Sequence, residues 1–170
     1  MKLTDTLIAQ SPLTPLPASF VRVEEETEIS LAFNVMPDRP VRETIFIHEY
    51  RIGERYIEGD FDRRYFSSMR QSPDHLIFVT ALIHQQKLLY ALLCHEFGLE
   101  YDPHKPEVLK IWPTVIHIEI PKLVRQRDGL IQKLWIDPPV RLREGRYNVN
   151  YRTCVGNDMA FELSAYVKLL

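Results

Sequence analysis

The stretch from residue 75 to about 97 constrains the fold more than any other part of the sequence. It holds neither Gly nor Pro. Its apolar residues (Leu76, Ile77, Phe78, Val79, Leu82, Ile83, Leu88, Leu89, Leu92, Leu93, Phe97) fall almost all round a helix. A helix apolar on most sides has to be covered on most sides. Ser72-Pro73-Asp74 reads as its start, with Ser as N-cap and Pro in the first turn, and Gly98 reads as its C-cap. No other segment reads as a long helix, so the cover must come from strands.

Strand signals surround it. Thr27, Ile29, Leu31, Phe33 and Val35 alternate with Glu28, Ser30, Ala32 and Asn34, and Pro37 and Pro40 end the run. Residues 43–50 and 54–62 read as two more strands with Gly53 at their turn. Beyond the helix come a short apolar run at 108–112 and the alternation of Ile116, Ile118 and Ile120. Residues 130–136, opened by Asp128-Gly129 and closed by Pro138-Pro139, and two alternating strands around Gly156-Asn157-Asp158 complete the chain. The expected fold class is α+β: one long central helix wrapped by a curved antiparallel sheet of about six strands. Residues 1–19, with Pro12, Pro15 and Pro17, read as an extended arm, and 20–170 as a single domain. One sheet cannot enclose such a helix alone, so a homodimer joined edge to edge, or a dimer of dimers, is expected.

Composition narrows the function. Lys plus Arg number 21 and Asp plus Glu 23, a net charge of −2, which argues against a nucleic-acid binder. Cys94 and Cys154 are too few for a disulfide framework and read as reduced core thiols, which suits the cytoplasm. The N-terminus has no continuous apolar h-region, and the most apolar stretch, 76–93, is broken by Thr80 and by His84-Gln85-Gln86-Lys87. Neither a signal peptide nor a membrane span is expected. No phosphate-binding glycine loop, GxSxG or zinc-protease motif occurs.

The segment ETIFIHEYRIGERYIEGDFDRRYF followed by SPDHLIFVTALIHQQKLLYALL resembles the hot-dog family of 3-hydroxyacyl-carrier-protein dehydratases, with its strand, aromatic pair, loop and hydrophobic central helix. The end, GRYNVNYRTCVGNDMAFELSAYVKLL, is similar to their last hairpin. DHLIFVTALIHQQKLLYAL is also similar to the helix start of A-factor-biosynthesis domains and of mycobacterial-type long-chain acyl-CoA thioesterases. The resemblance covers roughly residues 40–170. It implies the hot-dog fold, acyl-thioester substrates carried on coenzyme A or on the phosphopantetheine of an acyl carrier protein, and no further cofactor. It also implies a place in fatty-acid or polyketide metabolism. The dehydratases' Gly-His-Phe-Pro loop is absent: the aromatic pair is Tyr65-Phe66, and Met69 stands near where their His would fall. Their helix carboxylate corresponds to Thr80, so neither residue of the usual His-plus-acid pair stands at its place.

Such enzymes hold a thioester carbonyl at the N-terminus of the helix, where free N–H groups and the helix dipole stabilise negative charge. Asp74 and His75 are candidate acid or base groups there, with the alternative that Asp74 only caps the helix. Thr80, His84 and Lys87, at i, i+4 and i+7, form one polar stripe, from which Thr80 and His84 join the catalytic candidates. Tyr65, Phe66, Phe78, Gln85 and Arg70 are candidate substrate contacts, with packing at a dimer seam the alternative for Gln85. The basic positions Arg63, Arg64 and Arg70 read as a loop that either meets phosphates or is simply solvated. His48-Glu49 and His117/Glu119 do not have a diagnostic metal spacing, and no metal is expected. Two readings remain open: a thioesterase or dehydratase-like enzyme, or a non-catalytic hot-dog dimer binding an acyl chain or a partner protein. An accessory domain of a polyketide or secondary-lipid pathway is a third. A tunnel lined by Phe78 and Leu82 and opening near His75 favours the enzyme; a helix packed solid favours the binder.

Overall fold

The computed structural model describes residues 19–170, so the arm expected at 1–19 lies outside the described residues except for Ser19. The elements are β1 (Val21–Met36), β2 (Arg39–Gly53), β3 (Tyr56–Ser67), α1 (Phe78–Glu96), β4 (Leu109–Glu119), β5 (Leu130–Ile136), β6 (Val140–Arg143), β7 (Arg146–Val155) and β8 (Met159–Leu169). The sheet runs β1-β2-β3-β5-β7-β8-β4, antiparallel throughout, with β6 also pairing β7. It curls around α1 in the hot-dog arrangement.

Eight strands form rather than about six. The short run at 108–112 and the Ile116–Ile120 alternation are one strand, β4, which continues through Pro113 by a register shift between Pro113 and Val115. That shift absorbs the missing N–H of proline. Beyond Pro138-Pro139, β6 is a further short strand along β7.

The helix starts later than its stop-and-start signals imply. Its N-cap is Ile77, without a side-chain cap, not Ser72, and Pro73 lies outside it. Residues 72–77 stay outside the helix because they have better partners elsewhere. The Ser72 hydroxyl meets Tyr65 Oη at 2.5 Å, and the Leu76 N–H bonds the Val124 carbonyl at 2.8 Å. Leu76 and Ile77 are themselves buried. The far end follows the sequence closely. The C-cap is Phe97, and Gly98 behind it takes φ +65. The Leu99 N–H reaches Cys94 O at 2.8 Å and the Gly98 N–H reaches His95 O at 3.1 Å, a Schellman closure.

The core fills the space between α1 and the concave face of the sheet, from Ile45 and Ile47 on β2 to Phe161 and Leu163 on β8. Gly59 on β3 lets the helix approach: a Cβ there would stand 3.0 Å from side-chain atoms of Leu88 and Tyr50. The wrapping is incomplete. Phe78 and Ile83 remain 42% and 38% exposed, and Val79, Gln86 and Tyr90 on the same side are half-buried. Among the described residues, the apolar helix thus presents an open stripe between the two edge strands, β1 and β4. Among the described residues, no helix is long and apolar enough to cross a membrane.

Candidate functional site

On β2 the alternation places Val41, Glu43, Ile45 and Ile47 on the buried side, so one carboxylate stands in an apolar row. Glu43 is fully buried. Its Oε2 accepts the Ile77 N–H at 2.9 Å, which brings a strand carboxylate to the first turn of α1. Helix N–H groups in that position lack intrahelical acceptors, and the dipole favours an anion there. The next two N–H groups, of Phe78 and Val79, find no backbone acceptor among the described residues.

Arg63 on β3 faces the same interior and is also fully buried, with Nη1 3.5 Å from Glu43 Oε1. It spends its other donors carefully. Nη1 gives 2.8 Å to Asp74 Oδ1, Nε gives 2.7 Å to the Gln126 carbonyl, and Nη2 gives 3.1 Å to the Arg125 carbonyl. Its own N–H bonds Arg127 O at 2.7 Å. The segment of residues 120–129, which crosses from β4 to β5, is therefore strapped down by one side chain. Arg127 Nε in turn donates to Asp74 Oδ2 at 2.7 Å. The result is a line of alternating charges, Glu43–Arg63–Asp74–Arg127, from the core to the surface.

Burial pushes the Glu43 carboxyl above its ordinary pKa, against the pull of the Thr80 hydroxyl, the Ile77 N–H, Arg63 and His75. The Thr80 hydroxyl faces that carboxylate without full hydrogen-bond geometry, so Glu43 Oε1 and Thr80 Oγ1 both stay uncommitted. Asp74 goes the other way. Burial raises it, but hydrogen bonds from Arg127 and Arg63 outweigh that, and its pKa lies below the usual range. A carboxylate clamped by two guanidiniums is a poor proton carrier near neutral pH. Asp74 does not cap the helix, which begins further on.

Three of the four candidate catalytic residues, Asp74, His75 and Thr80, gather at this centre. His75 is half-buried. Its Nδ1 lies 2.7 Å from the Pro73 carbonyl, so Nδ1 carries the proton and Nε2 is an acceptor in the neutral ring. Tyr65, opposite Glu43 in register, lies 5.9 Å from the His75 ring. Phe78 stands at the rim.

His84 does not join them. One turn along the stripe it is fully buried, with Nδ1 2.9 Å from Gln132 Oε1. Gln132 Nε2 donates to Ala81 O and to Thr153 Oγ1, each at 3.1 Å. Burial drives its pKa down to about 3, and the bond to Gln132 opposes this only in part. Lys87, the third member of the stripe, reaches toward the buried Glu25 of β1 at 3.6 Å. Gln85 points into the core with neither amide atom bonded.

Phe66 and Arg70 are exposed away from the Glu43 centre. Arg63, read from sequence as part of a basic loop, is a buried strand residue unavailable to phosphate, and Arg64 lies over the Phe46 ring at 5.5 Å. His48 turns to Asp62 at 3.1 Å and His117 to Glu119 at 3.7 Å. Among the described residues, no group of three or more metal-ligating side chains forms. The residues missed by sequence reasoning are Glu43 and Arg63. Each was visible as a charge in an otherwise apolar alternating row, Glu43 with Ile45 and Ile47, Arg63 with Phe61.

A groove of about 370 Å³ runs along the open helix stripe, bounded by Ile83, Gln86, Tyr90, Tyr101 and Pro103. It therefore lies toward the C-terminal half of α1 rather than opening at His75.

No protein-family model matches the chain, and no curated protein matches it. Solved structures do. A thioesterase from Haemophilus influenzae is similar at 15% identity and a TM-score of 0.44, over 74% of this chain and 79% of its own. A mutant thioesterase from Pseudomonas aeruginosa is similar at 10% identity and a TM-score of 0.41, over 74% of this chain and 82% of its own.

Proposed function

We propose that this chain hydrolyses acyl thioesters at the N-terminal end of α1. The observation that carries the reading is Glu43: a buried carboxylate, raised in pKa, bound to the first N–H of the central helix beside two N–H groups without backbone acceptors. In the proposed reaction, water lies between Glu43 Oε1 and the thioester carbonyl carbon. Glu43 takes one proton as the water oxygen adds to that carbon. The oxyanion is held by the Phe78 and Val79 N–H groups and the helix dipole. Collapse breaks the C–S bond, and the thiolate leaves with the proton held by Glu43. The acyl chain lies against the apolar rim at Phe78. The carrier is coenzyme A or the phosphopantetheine of an acyl carrier protein, which is substrate rather than cofactor. The setting is fatty-acid or polyketide metabolism in the cytoplasm, which accords with two unpaired cysteines.

The edge of β4, unpaired among the described residues, supports a homodimer. Its register shift divides the strand so that Ile111 and Ile118 share the concave side while Lys110 and Glu119 share the convex side. Two-fold pairing of β4 with its copy can set Lys110 opposite the partner's Glu119 and Ile111 opposite the partner's Ile118. Sedimentation at rising concentration reads this directly.

The test is a panel of acyl-CoA and acyl-carrier-protein thioesters, saturated, 3-hydroxy and 2-enoyl, followed by mass spectrometry. Free acid should form, and Glu43→Gln should lower kcat by about 100-fold or more with the fold retained. Loss of water from the 3-hydroxy substrates would replace hydrolysis with dehydration. A second reading, a non-catalytic dimer that binds an acyl chain or partner, is favoured by Glu43 being fully enclosed and already engaged at Oε2, and by the groove on α1 lying away from His75. Binding without turnover of any member would establish it.

A further inference from the structure

We propose that Asp74 and Arg127 are positioning residues for Glu43. Their ion pair at the surface decides how much of the Arg63 charge the buried carboxylate receives. This rests on the reading of Glu43 as the working carboxylate but reaches beyond it, to residues that touch no substrate.

The geometry is a relay of charges. Arg63 Nη1 is shared between Asp74 Oδ1 at 2.8 Å and Glu43 Oε1 at 3.5 Å, so the two carboxylates compete for one cation. Asp74 holds the shorter contact. Its other oxygen, Oδ2, takes Nε and Nη2 of Arg127. A guanidinium on Oδ2 draws negative charge from Asp74 and so weakens its claim on Arg63. Arg63 itself cannot move toward either partner, because Nε and Nη2 are fixed on the Gln126 and Arg125 carbonyls. What varies is the charge around it. Arg127 is the largely exposed member of the line, so solvent and salt act on the buried carboxylate through it.

The other groups facing Glu43 are few. Tyr65 stands opposite on β3 with its hydroxyl on Ser72, Leu31 is its neighbour on β1, and α1 offers the Thr80 hydroxyl and the Ile77 N–H. His75 adds a weak pull from the approach to the helix. None of these links Glu43 to the surface by ion pairs as Arg63 and Asp74 do.

Removing Arg127 leaves the full Asp74 charge competing for Arg63, which disfavours the ionised Glu43. Removing the Asp74 charge leaves the Arg63 charge to Glu43 without a competing anion, which favours the ionised form. Opposite displacements from the two halves of one ion pair are the signature, since loss of a merely structural tie would act alike from either side. The experiment is carboxyl carbon NMR of Glu43 against pH, in the wild type, Arg127→Gln, Asp74→Asn and Arg127→Lys. The midpoint should rise by roughly half a pH unit in Arg127→Gln and fall by a similar amount in Asp74→Asn. Arg127→Lys should return toward the wild type. The acid limb of kcat/KM for the best thioester should move with it. Shifts of the same sign, or none, would overturn the proposal. If Asp74→Asn does not fold, the Arg127 pair decides alone. Opposite NMR shifts with no thioester turned over uphold the relay and reject the hydrolytic reading.

Discussion

Two buried polar centres lie one turn apart on the same face of α1. At Thr80 the helix meets Glu43, a carboxylate offset by a guanidinium and tied through Asp74 and Arg127 to the surface. At His84 it meets Gln132, a neutral amide whose own donors end on Ala81 O and Thr153, with no charge in the network. The first is raised in pKa and partly uncommitted; the second is driven far down and held neutral. The difference shows that i and i+4 positions sharing a stripe need not share a task. The partner across the interface decides whether a buried polar group keeps its reactivity or becomes packing.

This contrast can be broken at several points. The largest effect is expected from Arg63→Met. It leaves Glu43 as a buried charge without its cation and orphans the Gln126 and Arg125 carbonyls, so stability should fall by about 3–5 kcal/mol in chemical denaturation. A loss below 1 kcal/mol would mean that the charge line is not what holds this end together.

The His84 centre should respond to pH instead. Its folded pKa of about 3 lies below the ordinary 6.5, so the unfolded chain binds the proton first. Its contribution is present above pH 6.5 and is lost as pH falls toward about 3. Between pH 6.5 and about 4.5 the wild type should lose about 2–3 kcal/mol that His84→Gln does not. Equal slopes would show that His84 binds its proton as readily in the fold as in the unfolded chain.

The smallest effect concerns Gln85, buried on α1 with an unbonded amide. Gln85→Met keeps the shape and removes the unpaired groups, and should raise stability by about 1 kcal/mol. Destabilisation would give Gln85 a partner and make a third centre of it.

Much of the fold was legible because it rests on periodicity. The helix, the alternating strands and the closure at Gly98 follow from spacing and from glycine's access to positive φ. The helix start was not, since Ser72 and Pro73 carry a start signal that the Leu76–Val124 bond and the Tyr65–Ser72 contact override. The open stripe at Phe78 and Ile83 was hidden for another reason: an apolar wheel shows what needs cover, not how far one sheet reaches. Asp74 and His75 could be picked out because they stand just before the helix, and Thr80 because it shares a polar stripe with His84. Glu43 lies 34 residues before Ile77 and Arg63 lies 63 before Gln126, separations that no local pattern bridges.

Those separations bear on the order in which the molecule assembles. The β1–β2 hairpin closes through a tight turn and needs little chain to be gathered. Arg63 finds its carbonyls only after helix, β4 and the segment behind it are in place, a long loop closure that brings a guanidinium out of water late. The strap should therefore be the last part to dock and the first to come away, with its amides exchanging hydrogen well before those of β2 and β3. Weakening it should speed unfolding and leave the folding rate nearly unchanged. The end of the molecule that carries the buried Glu43 would then also be where its native lifetime is set.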